Sequence, residues 1–514
     1  MIQDDIRQIC YEKFGSYSKL ALKILYEAHN FSNAHQLCFN TGVSYKFVKD
    51  VLYEFAICNG DDYIINESYD FANIYNTITF SQIQQYENEI EVLISQFKHH
   101  NKSLDHVSAT AKTLLKRVEF IFNNVDIKYS KILFLGDHDF TSIALAYVLN
   151  KLNLDYSICV VDIDDNVLNF ICDTAQKYNL KLTVLHSDFR FGIPTNFLGA
   201  FDLIFSDPPY TPEGMSLFLQ RAIECSKNKF SSIYLCYKTA ELSPAIGLKV
   251  QKELLKSHIY FRAILPNFNV YTAAEALGYR SDLYVCSLTS KCFDNKNCIN
   301  SYDIYTHGNN SIEAKRPVKI DYQEIVNLLS NMLKTKSSLI KIVSDKKFNS
   351  DNSILIDVFY KQKRNKNTNY PKESVFVFDF TYQNVDVIDL RNFIMSDKKL
   401  QFGIFLNNQT KVLKNDKYKA ILSLYNVNDI YKNDTYSINS FELKNEVLLS
   451  NKKVMLYKNS NLKNAYVSCV TQNNAITKNQ AREEFNKLPI KHYGEAMVFD
   501  LPLFELERLY ESLK

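Results

Sequence analysis

The tetrad Asp207-Pro208-Pro209-Tyr210 directly follows an apolar run, Phe201 to Ser206, that reads as a buried strand. Two prolines cannot continue a sheet, so the chain turns there and leaves a carboxylate and an aromatic ring at the strand's carboxyl end. That is the edge at which open α/β sheets bind ligands. The tetrad suits a site that holds an amino group beside a nucleoside sulfonium. Three further apolar runs end in acids: Asp137 and Asp139 after the first, Asp162 and Asp164 after the second, and Asp188 after the third. Between positions 131 and 215 there are 11 acidic residues against 5 basic ones, so the acids are not offset locally. Acids favour helix N-termini, where the helix dipole is positive, but that accounts for one or two positions rather than for every strand end. The pattern predicts a site for cationic ligands.

Each acid has a physical use. Asp162, at the end of the second strand, can accept both ribose hydroxyls of a nucleoside. Asp188 can take an adenine amino group. The first strand delivers Gly136-Asp137-His138-Asp139 where a Gly-x-Gly turn would hold phosphates, which disfavours a dinucleotide. The same turn discriminates between sulfonium donors. S-adenosylmethionine carries a carboxylate on its tail; a second carboxylate ~4 Å away costs about 1 kcal/mol in water and about 4 kcal/mol at an effective dielectric near ~20. Decarboxylated S-adenosylmethionine, with a bare ammonium tail, is favoured, and the acids would also attract a polyamine. A polyamine nitrogen must be neutral to attack, which at pH 7 costs roughly 4 kcal/mol for an amine resembling Lys. A carboxylate that orients it must therefore also accept its proton, while burial against Tyr210 lowers the amine's pKa.

The elements that position these residues alternate. A helix is expected over Ala111 to Asn124, then a strand Lys131 to Leu135, a helix Ser142 to Leu152, and a strand Tyr156 to Val161. A helix Asn166 to Tyr178, a strand Leu182 to Leu185 and the strand running into Asp207 follow. This pitch predicts an α/β fold with a Rossmann-like, class I methyltransferase-type doubly wound sheet, over residues 96–294. Residues 1–95 read as a winged-helix-like module: helices with apolar positions at Leu20, Leu22, Ile24 and Leu25, then at Val48, Val51, Leu52 and Phe55, with a strand near 61–65. The presumed recognition helix, Ser44 to Phe55, carries Lys46 and Lys49 but also Asp50 and Glu54, too little positive charge for a DNA reader. A connecting helix is expected over 80–100.

The chain has 514 residues, a net charge of +3 and 11 cysteines, so bulk electrostatics names no partner. The acidic start is no signal peptide, no run of 18 apolar residues occurs, and the cysteines form no Cys-x-x-Cys. A cytoplasmic protein with no membrane partner and no metal is expected. Beyond position 295 Lys, Asn and Ser become common and short strands (Ile354 to Tyr360, Val375 to Phe380) alternate with polar turns. Residues 295–514 read as a separate C-terminal α+β domain without an evident internal repeat or chemical motif, and its basic run Lys361 to Asn367 reads as a solvated loop.

The segments Leu104 to Thr110, Ile132 to Ala144, Val161 to Asp164, Ser206 to Gly214 and Asn267 to Tyr271 together resemble the branched-chain polyamine synthases, the N4-bis(aminopropyl)spermidine synthases. The resemblance covers roughly residues 15 to 290. It implies aminopropyl transfer from decarboxylated S-adenosylmethionine to a secondary amine of spermidine, releasing methylthioadenosine, with a homodimer as one possible assembly. Carried over, Asp137 and Asp139 would hold and deprotonate the attacking nitrogen and Asp207 would hold the amine. Gly136, Asp162, Asp164, Asp188 and Pro208 would line the donor side; Tyr210, Glu213, Asn267, Asn269 and Tyr271 would line the acceptor side. His138 stands where the family pattern has an acid, and His106 where it has Gln.

Two other readings compete. An amino-directed nucleic-acid methyltransferase would stack a flipped base on Tyr210, but an acidic site repels phosphates, so nucleic acid is the disfavoured partner. A polyamine-binding regulatory or interaction protein would keep the acids without turnover.

Overall fold

The structure, a computed structural model, describes residues 3–65, 71, 74–294, 304–306, 320–345, 348, 351–356, 359, 370, 371, 373–382, 388–391, 398–457, 460–474 and 476–513. The basic run Lys361 to Asn367, and most of the strand expected over Ile354 to Tyr360 beyond position 356, lie outside the described residues.

Four helices come first: α1 (Gln3–Phe14), α2 (Ser18–Glu27), α3 (Ala34–Thr41) and α4 (Tyr45–Phe55). The short strand expected near 61–65 is β2 (Asp62–Ile65), which pairs antiparallel with β1 (Ala56–Asn59). Val48, Val51, Leu52 and Phe55 recur at helical spacing on α4 and share a core with Leu22 and Leu25 of α2. The single helix expected over 80–100 is instead α5 (Phe80–Ile83) and α6 (Glu87–Ile94), separated by a 3₁₀ turn at Gln84–Tyr86.

The doubly wound sheet follows. After α7 (Ala111–Asn124) come β3 (Lys131–Leu135), α8 (Thr141–Lys151), β4 (Ser157–Asp162), α9 (Asp165–Tyr178), β5 (Leu182–His186) and β6 (Leu203–Ser206). The unit closes with α10 (Pro212–Cys225), β7 (Ser232–Tyr237), α11 (Pro244–Lys256), β8 (Tyr260–Val270) and β9 (Arg280–Ser287). The strand order is β5-β4-β3-β6-β7-β9-β8, with β9 antiparallel to both its neighbours and the other six strands running in one direction. Strand residues alternate between two cores: Ile132 and Phe134 pack with α7 and α8, while Leu133 and Leu135 pack with α10 and α11. The winding reverses at β3, so the turns after β3 and β6 diverge around a crevice at the switch point.

A second sheet lies in the C-terminal half. Helix α12 (Tyr322–Leu333) leads into β10 (Ile340–Ser344), β11 (Ser353–Leu355), β12 (Val375–Asp379), β13 (Leu400–Leu406), β14 (Tyr425–Lys432) and β15 (Tyr436–Leu443), in the order β11-β10-β12-β13-β15-β14. The first four are parallel, and β15 is antiparallel to β13 and β14. This is the order and orientation of β4-β3-β6-β7-β9-β8, without a counterpart of β5 among the described residues. The α/β topology of the first sheet is thus repeated, where the sequence had suggested no repeat. Strand register carries the correspondence further: Asp345 falls at the position of Asp137, Asp379 at that of Asp207, and Leu355 at that of Asp162. The repeat escaped sequence reading because little beyond apolar strands and strand-end acids survives in it. The core on the α10–α11 face runs without a break into the second sheet, joining Leu235 to Phe378 and Phe405.

Candidate active site

The first turn depends on Gly136. Its φ of +69° is left-handed, and a Cβ there would lie 3.4 Å from the Phe218 ring and 4.0 Å from Asp162 Oδ2. A side chain would be strained by that φ, while the neighbouring Asp162 carboxylate accepts the Asp137 N–H at 2.9 Å. Asp162 Oδ1 accepts the Asp164 N–H at 2.8 Å. Burial pushes the Asp162 carboxyl up to about 6, against these two N–H donors. A carboxylate has about four acceptor positions, so Asp162 keeps capacity toward the crevice.

Asp207 is placed by the turn after β6. Its Oδ1 accepts the Tyr210 hydroxyl at 2.9 Å; its Oδ2 accepts the Tyr271 hydroxyl at 2.6 Å and Arg117 Nη2 at 3.0 Å. The two tyrosine oxygens are 3.1 Å apart. Burial, then the Asp207 charge, push both phenols well above their ordinary value, so they stay protonated donors. Gly214 lets α10 start close to this turn: a Cβ there would meet Pro209 O at 2.8 Å and Ile304 O at 2.9 Å.

Arg117 is the residue that sequence reading missed. It is fully buried on α7, and its guanidinium also bonds Asp139 Oδ2, Thr141 Oγ1 at 2.8 Å and Asn269 Oδ1 at 2.8 Å. One side chain therefore ties the turn after β3 to the turn after β6 and to β8. The signal was present: Leu114, Val118 and Ile121 place Arg117 on the buried stripe of its helix.

These turns open on a cavity of about 770 Å³. Of the residues expected from sequence, Gly136, Asp162, Asp188, Asp207, Pro208, Tyr210 and Tyr271 line it. Asp137, Asp139, Asp164, Glu213, Asn267 and Asn269 do not. Asp137 lies behind the wall, where both its oxygens face the Ser142 N–H at the start of α8, and burial, then the Asp139 charge, push it well up. Burial would raise Asp139 too, but the Arg117 charge outweighs it and holds the carboxyl below its ordinary value. Asp139 thus faces Arg117 and Thr141 rather than the cavity. Asp164 caps α9 by accepting the Asn166 N–H at 2.8 Å. Asn269 lies under Arg117, and Asn267 is exposed at a bulge in β8. Glu213 stands in the first turn of α10. Asp188 lines the cavity but is forked by Arg190, with Nε 2.9 Å from Oδ1 and Nη2 2.5 Å from Oδ2, which uses much of its acceptor capacity.

Both departures from the family pattern meet here. His106 and His138 stack face to face, 4.7 Å between centroids, on the cavity wall. Burial, then the neighbouring imidazole, push His106 well below its ordinary value, so it is neutral at pH 7. Ile304, Tyr305 and Thr306 also line the cavity: Thr211 donates to Ile304 O at 2.7 Å, and the Thr306 N–H donates to Asp105 at 2.7 Å. Among the described lining residues Asp105, Asp162, Asp188, Asp207 and Glu275 meet Lys102 and Lys238, with Lys238 paired with Glu241 at 3.4 Å; behind the lining Arg117 pairs with Asp207 and Arg190 with Asp188. The lining favours cations.

Residues 87–302 match the family described as the branched-chain polyamine synthase A C-terminal domain. An uncharacterized protein of Methanocaldococcus jannaschii is 30% identical over 220 residues, 43% of this chain and 51% of its own length. The N(4)-bis(aminopropyl)spermidine synthase of the same organism is 32% identical over 169 residues, 32% of this chain and 47% of its own. The chain spans about half the length of the curated relatives it matches. The branched-chain polyamine synthase structure from Thermus thermophilus, in complex with N4-aminopropylspermidine and 5'-methylthioadenosine, is 18% identical and superposes over 59% of this chain and 98% of that one, with a TM-score of 0.39.

Proposed function

We propose, for a chain whose residues 87–302 carry a branched-chain polyamine synthase domain, that it transfers the aminopropyl group of decarboxylated S-adenosylmethionine to a secondary amine of spermidine or a related polyamine. The observation that carries this reading is Asp207, held by two protonated tyrosines at the wall of an acid-lined cavity. The amine lone pair attacks the aminopropyl carbon bonded to sulfur. The C–S bond breaks, its electrons return to sulfur, and neutral methylthioadenosine leaves. The nitrogen becomes a branched ammonium and gives up its proton.

We assign that proton to Asp207 rather than to Asp137 or Asp139, because Asp207 lines the cavity while Asp139 faces Arg117 and Thr141 and Asp137 faces the start of α8. Tyr210 and Tyr271 form the acceptor wall, and their hydroxyls can turn from Asp207 to an arriving amine. Asp162 takes the ribose, Gly136 and Pro208 border the nucleoside, and Asp164 supports Asp162 through its N–H. Asp188, Glu213, Asn267 and Asn269 act at one remove. We further assign residues 1–95 to a winged-helix-like module, 96–294 to the transferase and 295–514 to a C-terminal module, in a cytoplasmic protein acting without a metal.

The test is incubation with spermidine and each sulfonium donor, followed by mass spectrometry of the polyamine. Addition of one or two aminopropyl groups, only from the decarboxylated donor, is the expected result; an unchanged polyamine refutes the reading. The lining acids weigh against the methyltransferase alternative, since they would repel a nucleic-acid backbone.

A further inference from the structure

The two loops that border the nucleoside half of the cavity are held from outside by the C-terminal half. Asp165, the first residue of α9 and three positions after Asp162, has Oδ1 on the Leu503 N–H at 2.8 Å and Oδ2 on Arg391 Nη2. Lys417 lies 3.7 Å from the same oxygen. Arg391 is fully buried; its N–H and its Nε each reach Asp389 Oδ1 at 3.0 Å, and its Nη1 donates to Leu501 O. Asp389 Oδ2 in turn lies 3.1 Å from His186 Nε2. The same nitrogen lies 3.1 Å from Ile163 O. Both neighbours are acceptors, so Nε2 carries the proton and bridges them. The Ser187 N–H then donates to Asp162 O at 3.0 Å. A continuous buried chain thus runs from Leu501 through Arg391 and Asp389 to Asp162–Asp165 and His186–Asp188.

Among the described residues, the second sheet does not keep the arrangement of the first site. The position corresponding to the ribose acid is Leu355, Asp379 accepts from Thr381 and Tyr322, and Phe380 and Tyr382 are buried in the core that joins the two sheets. Arg391 and Asp389 lie outside the matched stretch 87–302. We propose that Arg391 and Asp389 are positioning residues for the donor nucleoside: the repeated half holds the two nucleoside loops of the first half in their binding geometry. The inference rests on the aminopropyl-transfer reading for the identity of the ligand, but not for the positioning.

The experiment uses the full chain and compares wild type with Arg391→Met, Asp389→Asn, Arg391→Lys and Val377→Ala, the last a core change in the second sheet away from the loops. Hydrogen–deuterium exchange of peptides spanning 160–170 and 184–190, methylthioadenosine affinity by calorimetry, and the separate KM values of donor and acceptor are measured. Arg391→Met and Asp389→Asn are expected to speed exchange in both peptides at least tenfold, weaken methylthioadenosine at least tenfold and leave the spermidine KM within twofold. Arg391→Lys should recover part of the loss, and Val377→Ala should leave loops and affinity as in wild type. Unchanged loop exchange in Arg391→Met, or an equal change in Val377→Ala, overturns the proposal. If wild type binds no methylthioadenosine while the loops still loosen, the positioning stands and the aminopropyl reading falls.

Discussion

Arg117→Met removes a cation that spans both turns of the site. Its two ion-pair partners have side chains only 3% and 8% exposed, so neither carboxylate can be neutralised by water. Deleting one partner of a buried pair costs about 3–5 kcal/mol, because the charge left behind stays buried. Two carboxylates are left here, but each retains other donors: Asp139 keeps the Thr141 N–H and hydroxyl, and Asp207 keeps two tyrosine hydroxyls. We therefore expect a loss of about 4 kcal/mol rather than twice that. At roughly 2–4 °C per kcal/mol for a domain of this size, the transition of the transferase unit should fall by roughly 8–16 °C. Adding Asp139→Asn removes one stranded charge, and contacting residues couple by about 0.5–3 kcal/mol, so the double variant should lie at least about 1 kcal/mol above the additive expectation. Scanning calorimetry and urea unfolding of the four proteins close the cycle. A loss below about 1 kcal/mol, or an additive cycle, would refute the view that Arg117 joins the two turns electrostatically.

Asp162, pushed up to about 6 by burial, should make methylthioadenosine affinity flat above pH 7 and up to tenfold weaker per unit below 6; calorimetry from pH 5 to 8 tests this, and Asp162→Asn should abolish the slope. Asp165 is the opposite case: burial raises it, but Arg391 and Lys417 bring it down to about 2. It therefore contributes about 2 kcal/mol that is fully present above pH 4 and is lost as pH falls toward 2, a loss that acid unfolding should no longer show in Arg391→Met. Asp207→Asn should lower aminopropyl transfer at least about 100-fold, with methylthioadenosine affinity within threefold of wild type; a drop in affinity equal to the drop in rate would assign Asp207 to nucleoside binding.

The sequence carried the first sheet well, because strict apolar runs ending in Gly or Asp fix parallel strands and their turns: α7 and β3 fall on the expected residues, and the other elements within two positions. It also brought seven of the expected site residues to one cavity. It could not separate acids that face a cavity from acids that face a helix or a guanidinium. Asp139 and Asp207 look alike at strand ends and both reach Arg117, yet only Asp207 lines the cavity, a difference set by the turns that carry them. Asp389, Arg391 and residues 304–306 were beyond reach for a different reason: their roles arise from contacts with residues more than 75 positions away, which no local pattern encodes.

The repeated sheet also explains what the two prolines do. In the C-terminal copy, Asp379-Phe380-Thr381-Tyr382 keeps the Asp and the Tyr at the same spacing as Asp207 and Tyr210, yet Thr381 turns its own N–H (2.8 Å) and hydroxyl (2.6 Å) onto Asp379 Oδ1. That is an Asx turn, in which a carboxylate is consumed by the backbone two residues on. Pro209 stands at the matching position and has no N–H to give. Asp207 is thereby denied its own turn as a partner and takes its donors from Tyr210, Tyr271 and Arg117 instead. Within one chain, the same Asp-x-x-Tyr serves once as a latch and once as an open hand, and an imino acid at the third position separates the two.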